Sequence, residues 1–145
     1  MYTIAFSNLK HRTSNFQNRE EKVILSVRGL RGAITVDKNT EDEMVAATKQ
    51  VVKEMIEKNA ISPEQVAQVL MTVTEDLNAT FPAKALRLFP GWTHVPVMCA
   101  TEIPVPNGLE KCIRIMMTIN TDKSQTEMKH IYLRNAVKLR PELLD

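Results

Sequence analysis

The chain has 145 residues, of which 43% are hydrophobic and 25% charged, and its formal net charge is +2. This length fits a single domain, and the composition is that of a globular chain rather than a disordered or fibrous one. The small net charge excludes the broad basic field of a nucleic-acid-binding protein, so any anion site has to be local.

Residues 1–22 are predicted to be an N-terminal extension ahead of one domain over 23–145. Its first 19 residues carry Lys10, Arg12 and Arg19 but no acidic residue, so an organellar presequence is an alternative to a disordered tail. The two cysteines, Cys99 and Cys112, lack metal or redox spacing, and no apolar run could cross a bilayer. We therefore expect a cytoplasmic protein, with organellar import as the alternative.

The first predicted element is a strand over 23–36, which is mostly β-branched or aliphatic. Arg28 and Arg31 lie three residues apart in it and should face opposite sides. A helix is predicted next, from a capping box of Thr40 and Glu43 to about Lys58, because apolar residues recur at helical spacing.

The sequence of the second half of the chain predicts short helices and strands. Ser62 and Pro63 start a helical turn before a buried strand over 66–73. A short helix over 81–87 follows and places Lys84 and Arg87 on one face. The remaining elements are strands over 95–99 and 112–119, a helical turn over 124–127 and a short strand over 130–133.

This order predicts an α+β fold with a mixed sheet of about five strands, one long helix and short helical turns. The helices should cover one face of the sheet. The other face is also apolar, so we expect oligomerisation to complete the core.

Most catalytic chemistries lack their residues in this sequence. The three histidines, His11, His94 and His130, are isolated from one another, which argues against hydrolytic or metal sites. The four glycines form no phosphate-binding or dinucleotide-binding pattern. We expect neither a metal ion nor a cofactor.

Arginines in or beside the apolar segments are the remaining chemical signal. Arg114 interrupts a strand that is otherwise suited to burial, where a charge needs an anionic partner. A structural ion pair with Glu102 or Asp76 is the simplest explanation of one such arginine. Several together favour a carboxylate-binding pocket, because guanidinium groups bind carboxylates bidentately. The set is Arg28, Arg31, Arg87, Arg114 and Arg140.

Five segments resemble, in order and spacing, the monofunctional trimeric chorismate mutases of the AroH class. They are Arg28–Ala33, Phe81–Arg87, Val95–Glu102, Cys112–Arg114 and His130–Pro141. The resemblance implies a homotrimer with a pseudo-α/β-barrel centre and active sites at the three subunit interfaces. It also implies rearrangement of chorismate to prephenate without a cofactor.

The resemblance further implies a role for each matching residue. Arg114 should hydrogen-bond the ether oxygen and one carboxylate of the substrate. Arg31 and Tyr132 should hold a carboxylate, and Glu102 and Cys99 should share hydrogen bonds with the ring hydroxyl. Phe81 and Leu139 should contact the substrate. Positive potential at the entrance should come from Lys84, Arg87 and Arg140, with the C-terminal segment as a mobile lid.

Most of these residues also have a structural explanation. Cys99 could be a small buried residue, Phe81 a staple for its helix and Tyr132 a core residue. The charges at 84, 87 and 140 could be solvated. Met98 departs from the family, where a small polar residue is expected. A non-catalytic trimer that binds a small carboxylate is the alternative function.

Overall fold

The computed structural model describes residues 26–143, which form one mixed five-stranded sheet with a long helix on one face. Strand β4 lies at the centre and runs antiparallel to both of its neighbours, β1 and β2. The edge strands β3 and β5 pair in parallel with β2 and β1. The predicted mixed sheet of about five strands with one long helix is therefore confirmed. The strands are β1 (Ser26–Thr35), β2 (Val66–Val73), β3 (Val97–Thr101), β4 (Cys112–Thr121) and β5 (Ile131–Leu133).

Helix α1 (Glu41–Asn59) agrees with the predicted long helix. The hydroxyl of Thr40 accepts a hydrogen bond from the backbone N–H of Glu43 at 3.3 Å, as an N-cap does. The predicted capping box is only half formed. The Glu43 carboxylate accepts from the N–H groups of Asp37 and Lys38 instead, so it holds the loop that leads into the helix.

Five short 3₁₀ helices complete the described part of the chain. Two of them, Pro63–Gln65 and Gln125–Glu127, are the predicted helical turns, and a capping box closes the start of each. The predicted short helix over 81–87 is the 3₁₀ helix Pro82–Leu88. The others are Arg134–Leu139 and Pro141–Leu143. Within residues 26–143 no helix has the length and apolar character needed to cross a membrane.

The core lies between the sheet and α1. One face of the helix presents methionine and valine side chains to the sheet, and the helix and sheet together bury them completely. Packing of this kind supplies most of the stabilisation of an amphipathic helix. Fully buried members are Leu30, Ile34, Met44, Val51, Val52, Met55, Ile113 and Met117.

The opposite face of the sheet, here called the open face, carries exposed apolar side chains. By strand register, Val27, Leu70, Met98 and Met116 all lie on it. Their exposed fractions are 60%, 44%, 74% and 39%. Leu70 lies opposite both Met98 and Met116, and an exposed apolar patch of this kind is typical of an interface with another protein.

One prediction about burial is wrong. Strand β2 alternates between buried and exposed residues, so it is not the buried strand that its apolar run indicated. The difference arises because most of one face of the sheet is uncovered in the single chain. Arg114 points to this open face, and 44% of its side chain is exposed.

Several strand boundaries differ from the predicted ones. Strand β3 begins at Val97, two residues later than expected, and β1 ends at Thr35. Residues 23–25 of the predicted first strand, and the predicted N-terminal extension, lie outside the described residues.

We predict that Gly32→Ala destabilises the fold, because Gly32 lies directly under α1. A Cβ atom there would come within 2.3 Å of the Met55 sulfur, and Met55 is fully buried. Overpacking of this kind costs about 1–3 kcal/mol. Urea unfolding at fixed protein concentration measures the change.

Gly29→Ala is the matched control. Its Cβ would meet only the sulfur of Met116, at 3.2 Å, on the open face. The half-exposed Met116 side chain can move aside. Equal losses of unfolding free energy in the two variants would show that contact with α1 is not the cause.

Candidate active site

A cavity of about 510 Å³ lies on the open face, where β1, β4 and β5 meet the C-terminal segment. We call it the open-face pocket. Its volume is in the range of pockets that hold small molecules. Six of the predicted site residues line it, namely Arg31, Glu102, Arg114, Tyr132, Leu139 and Arg140; the other lining residues are Gly32, Ala33, Leu70, Thr72, Ile115 and Met116.

Arg114 lies on the central strand, in register with Ala33 of β1 on one side and Thr72 of β2 on the other. Its Nε is 3.8 Å from the Oε1 atom of Glu102, which makes a loose ion pair rather than a hydrogen bond. Of the two expected ion-pair partners of Arg114, Glu102 is therefore the one in contact with it. Asp76 instead accepts hydrogen bonds from the backbone N–H of Lys111.

Glu102 is held more firmly than Arg114. The hydroxyl of Thr72 donates to its Oε1 at 2.6 Å, and its backbone N–H donates to the Val73 carbonyl at 2.8 Å. Only 23% of the Glu102 side chain is exposed. The carboxylate thus has a fixed position at the edge of the pocket, where it can accept a further hydrogen bond from a ligand.

Arg31 and Tyr132 approach the pocket from the other side. Tyr132 pairs with Ala33 across β1 and β5 and is 8% exposed, so it is both a core residue and a pocket residue. The backbone N–H of Arg31 donates to Nδ1 of His130 at 3.0 Å. Sequence reasoning treated His130 as isolated. This contact depends on strand pairing between residues 99 positions apart, so no local pattern could have indicated it.

The C-terminal segment supplies Leu139 and Arg140. The Arg140 guanidinium pairs with the Glu142 carboxylate, which raises the pKa of Arg140 and lowers that of Glu142. Both groups are solvent-exposed, and exposed pairs of this kind are weak. An anion in the pocket can therefore compete with Glu142 for Arg140.

Arg28 and Arg31 face opposite sides of β1, as their spacing predicts. The Arg28 side chain donates to the Lys123 carbonyl at 2.9 Å, away from the pocket. Only Arg31 of this pair lines the pocket.

Four predicted site residues lie outside the open-face pocket of the single chain. Phe81 is 70% exposed, and Lys84 pairs with Glu41 at 2.6 Å. Arg87 is exposed on the same 3₁₀ helix. The side chain of Cys99 packs against the core. A single chain does not bring these four residues together with the other six, so their role in the site stays a prediction.

The thiol and the backbone N–H of Cys99 point in different directions from β3. Cys99 is in register with the buried Met71, so its side chain lies on the core side of β3. Alternate residues of a parallel strand bond to the same neighbour, and the N–H of Glu102 donates to β2. The N–H of Cys99, three residues earlier, therefore points to the open edge of the sheet. A polar contact from Cys99 to a ligand is expected from this N–H rather than from the thiol.

Cys112 lies two residues before Arg114 in β4, in a small buried cluster with Ala33 and Tyr132, and is fully buried. Burial raises the pKa of its thiol, and the positive charge of Arg114 opposes this effect only in part. Among residues 26–143 no group of three or more histidine, cysteine, aspartate or glutamate side chains is arranged to hold a metal ion.

Comparisons with known proteins give one consistent result. A family model described as chorismate mutase type I matches residues 27–143. Chorismate mutase AroH of Bacillus subtilis (strain 168) is 50% identical over 119 residues, which cover 82% of this chain and 94% of that protein. Chorismate mutase AroH of Thermus thermophilus is 48% identical over 118 residues, covering 81% and 96%. A solved structure of chorismate mutase from Clostridium thermocellum has 50% sequence identity and a TM-score of 0.73, and the match covers 75% of this chain and 96% of that one.

The burial of the two thiols predicts different reactivities. Cys112 should react with iodoacetamide far more slowly than the half-buried Cys99, because only the thiolate reacts and burial keeps Cys112 protonated. Mass spectrometry of the intact protein over time at pH 8 measures the two alkylation rates. The variants Cys112→Ser and Cys99→Ser assign each rate to its cysteine. Equal rates at the two sites under native conditions would contradict the placement of Cys112.

Proposed function

The chain belongs to the chorismate mutase type I family, and from this premise we propose that the open-face pocket is where it converts chorismate to prephenate. The protein is an isomerase of aromatic amino acid biosynthesis. The observation that carries the location of the site is the convergence of Arg31, Arg114 and Arg140 on one cavity, with the Glu102 carboxylate at its edge. The alternative, a trimer that only binds a small carboxylate, is not favoured, because the relatives that cover most of the chain are enzymes.

The substrate explains why a site of this composition is needed. Chorismate carries two carboxylates, a ring hydroxyl and the enol ether that breaks. Guanidinium groups pair with carboxylates through parallel hydrogen bonds, which fix orientation as well as charge. Arg31 with Tyr132 binds one carboxylate, and Arg140 adds positive charge at the entrance. Glu102 accepts a hydrogen bond from the ring hydroxyl, to which the backbone N–H of Cys99 can also donate.

The reaction is an intramolecular Claisen rearrangement in which the ether C–O bond breaks as a carbon–carbon bond forms. Neither proton transfer nor a covalent intermediate is needed. The enzyme lowers the barrier by holding the extended substrate in its compact reactive conformer, which removes part of the entropic cost. Negative charge grows on the ether oxygen in the transition state, and Arg114 stabilises it from a fixed position on the central strand.

Pairing between Arg114 and Glu102 keeps the arginine available for this role. A contact of 3.8 Å between partly exposed groups is weak, so the guanidinium can turn to the ether oxygen at little cost. The Glu102 carboxylate remains bound to Thr72 meanwhile. The pair thus orients Arg114 without neutralising it.

The site is completed by a neighbouring subunit in a homotrimer. Two features support this proposal. The open face exposes Val27, Leu70, Met98 and Met116, which a neighbour would cover. Phe81, Lys84 and Arg87 lie outside the pocket in their own chain, so they would act in a neighbouring pocket. The similarity to trimeric enzymes supports three interface sites around a barrel-like centre.

The function is tested by following the loss of chorismate's ultraviolet absorbance with purified protein and no added metal or nucleotide. Arg114→Ala should abolish the loss. Binding of chorismate without its consumption by the wild-type protein would favour the non-catalytic alternative.

Arg114→Lys should lower kcat by a factor on the order of 10² or more, because lysine keeps the charge but loses the guanidinium geometry. Steady-state kinetics with chorismate measure the effect. Arg28→Lys is the matched control on the same sheet, and should leave kcat near the wild-type value, because Arg28 points away from the pocket. Near-normal turnover of Arg114→Lys would show that Arg114 is structural.

Sedimentation of the purified protein should give about three times the chain mass of 16.5 kDa. The physical reason is the exposed apolar area on the open face, whose burial drives association. A fully active monomer at assay concentrations would contradict the interface site.

A further inference from the structure

His130 lies immediately before β5 and accepts a hydrogen bond from the backbone of a pocket residue. Its Nδ1 is 3.0 Å from the backbone nitrogen of Arg31. The parallel pairing of β1 and β5 begins one residue later, with Gly32 opposite Ile131. The imidazole therefore extends the ladder by one residue and occupies the place of a carbonyl acceptor.

We propose that His130 is a positioning residue, which holds the backbone of Arg31 so that its guanidinium is presented to a substrate carboxylate. This inference rests on the carboxylate-binding role proposed for Arg31 above. Arg31 immediately precedes Gly32, where the pairing of β1 with β5 starts. Without the His130 bond its N–H would have no partner on the β5 side, and only the ladder with β4 would hold the backbone of Arg31.

The imidazole is itself held in place. The residue before it, Lys129, is anchored by the buried Asn59 through two hydrogen bonds. The N–H of Lys129 donates to Asn59 Oδ1 at 2.8 Å, and Asn59 Nδ2 donates to the Lys129 carbonyl at 2.9 Å. Asn59 also donates to the Met55 carbonyl in α1. Helix α1 is thus linked to Arg31 through Asn59, Lys129 and His130.

The bond requires one protonation state of the ring. Nδ1 accepts, so it carries the lone pair, and the ring is neutral with its hydrogen on Nε2. The pKa of His130 is lowered by burial and, to a smaller extent, by the positive charges of Arg31 and Arg140. The neutral ring therefore dominates at neutral pH. As pH falls through this lowered pKa, a proton on Nδ1 removes the acceptor.

Other charged groups also face His130 across a second cavity. They come from α1, from the loop after β4 and from the C-terminal segment, and their signs are balanced. They are Glu54, Lys58, Lys123, Glu127, Lys129 and Glu142. A change in substrate binding below about pH 6.5 is therefore assigned to His130 by its loss in a variant whose side chain cannot titrate.

The effect on kinetics should fall on KM. A carboxylate contact made equally in the ground state and the transition state contributes to substrate binding rather than to kcat. Loss of the His130 hydrogen bond should therefore raise KM for chorismate roughly three- to tenfold, the range expected for one neutral hydrogen bond. The value of kcat, which depends on Arg114, should change less.

Two substitutions distinguish a positioning role of His130 from a role in packing alone. His130→Leu removes the acceptor, whereas His130→Asn places an amide oxygen near the position of Nδ1 and cannot titrate. We expect His130→Leu to raise KM and His130→Asn to restore most of the affinity. In the wild type kcat/KM should decline below about pH 6.5, and this decline should be absent in His130→Asn. His94→Leu, at the exposed histidine, is the control and should match the wild type.

Each outcome decides between the explanations. Wild-type KM in His130→Leu, together with raised KM in Arg31→Ala, would overturn the inference and leave the proposed function standing. Unchanged KM in Arg31→Ala would overturn both the inference and the carboxylate-binding role of Arg31. If His130→Leu fails to fold, the pH profiles of the wild type and His130→Asn still decide, since an acid decline that persists in His130→Asn assigns the titration to another group.

Discussion

The two faces of the central strand β4 impose the constraint on which the rest of the structure depends. Residues that alternate along it are buried against α1, among them Ile113, Ile115 and Met117. The residue between the first two, Arg114, is thereby directed to the opposite face. A shift of pairing by one residue would bury the guanidinium and expose the core, so the register of β4 is strongly specified. The position of the Arg114 charge thus follows from the packing of the core.

Much of the fold could be predicted from the sequence because its signals are local. The cap at Thr40 and the apolar spacing after it define α1, and a helical turn follows Ser62 and Ser124 as predicted. The degree of burial could not be predicted, because it depends on which face of the sheet is covered. An apolar run such as 66–73 has the same composition whether its second face meets a helix, a neighbouring subunit or solvent.

The residues of the site could be predicted from the sequence only in part. A charged residue within an apolar strand is visible in the sequence, and Arg114 is the clearest case. Which charges share one pocket depends on strand order. The residues alone offered Glu102 as one of two partners for Arg114 and Arg31 as one of five arginines, and only the family resemblance singled out these two and Tyr132. His130 was missed because its partner is a backbone N–H, which carries no sequence signal. The resemblance implies a hydrogen bond from Cys99 without indicating the atom, and the position of its side chain on the core side of β3 leaves that role to the backbone N–H.

The differences in how the charged groups of the pocket are held suit a reaction without proton transfer. Glu102 is fixed by a short hydrogen bond from Thr72, and the backbone of Arg31 by His130. The guanidinium groups of Arg114 and Arg140, in contrast, pair only with exposed or partly exposed carboxylates. Because such pairs contribute little free energy, a substrate carboxylate or ether oxygen can replace the protein carboxylate without a large cost. The scaffold is therefore preorganised where it defines geometry, and its cations remain available for the contacts proposed with the substrate.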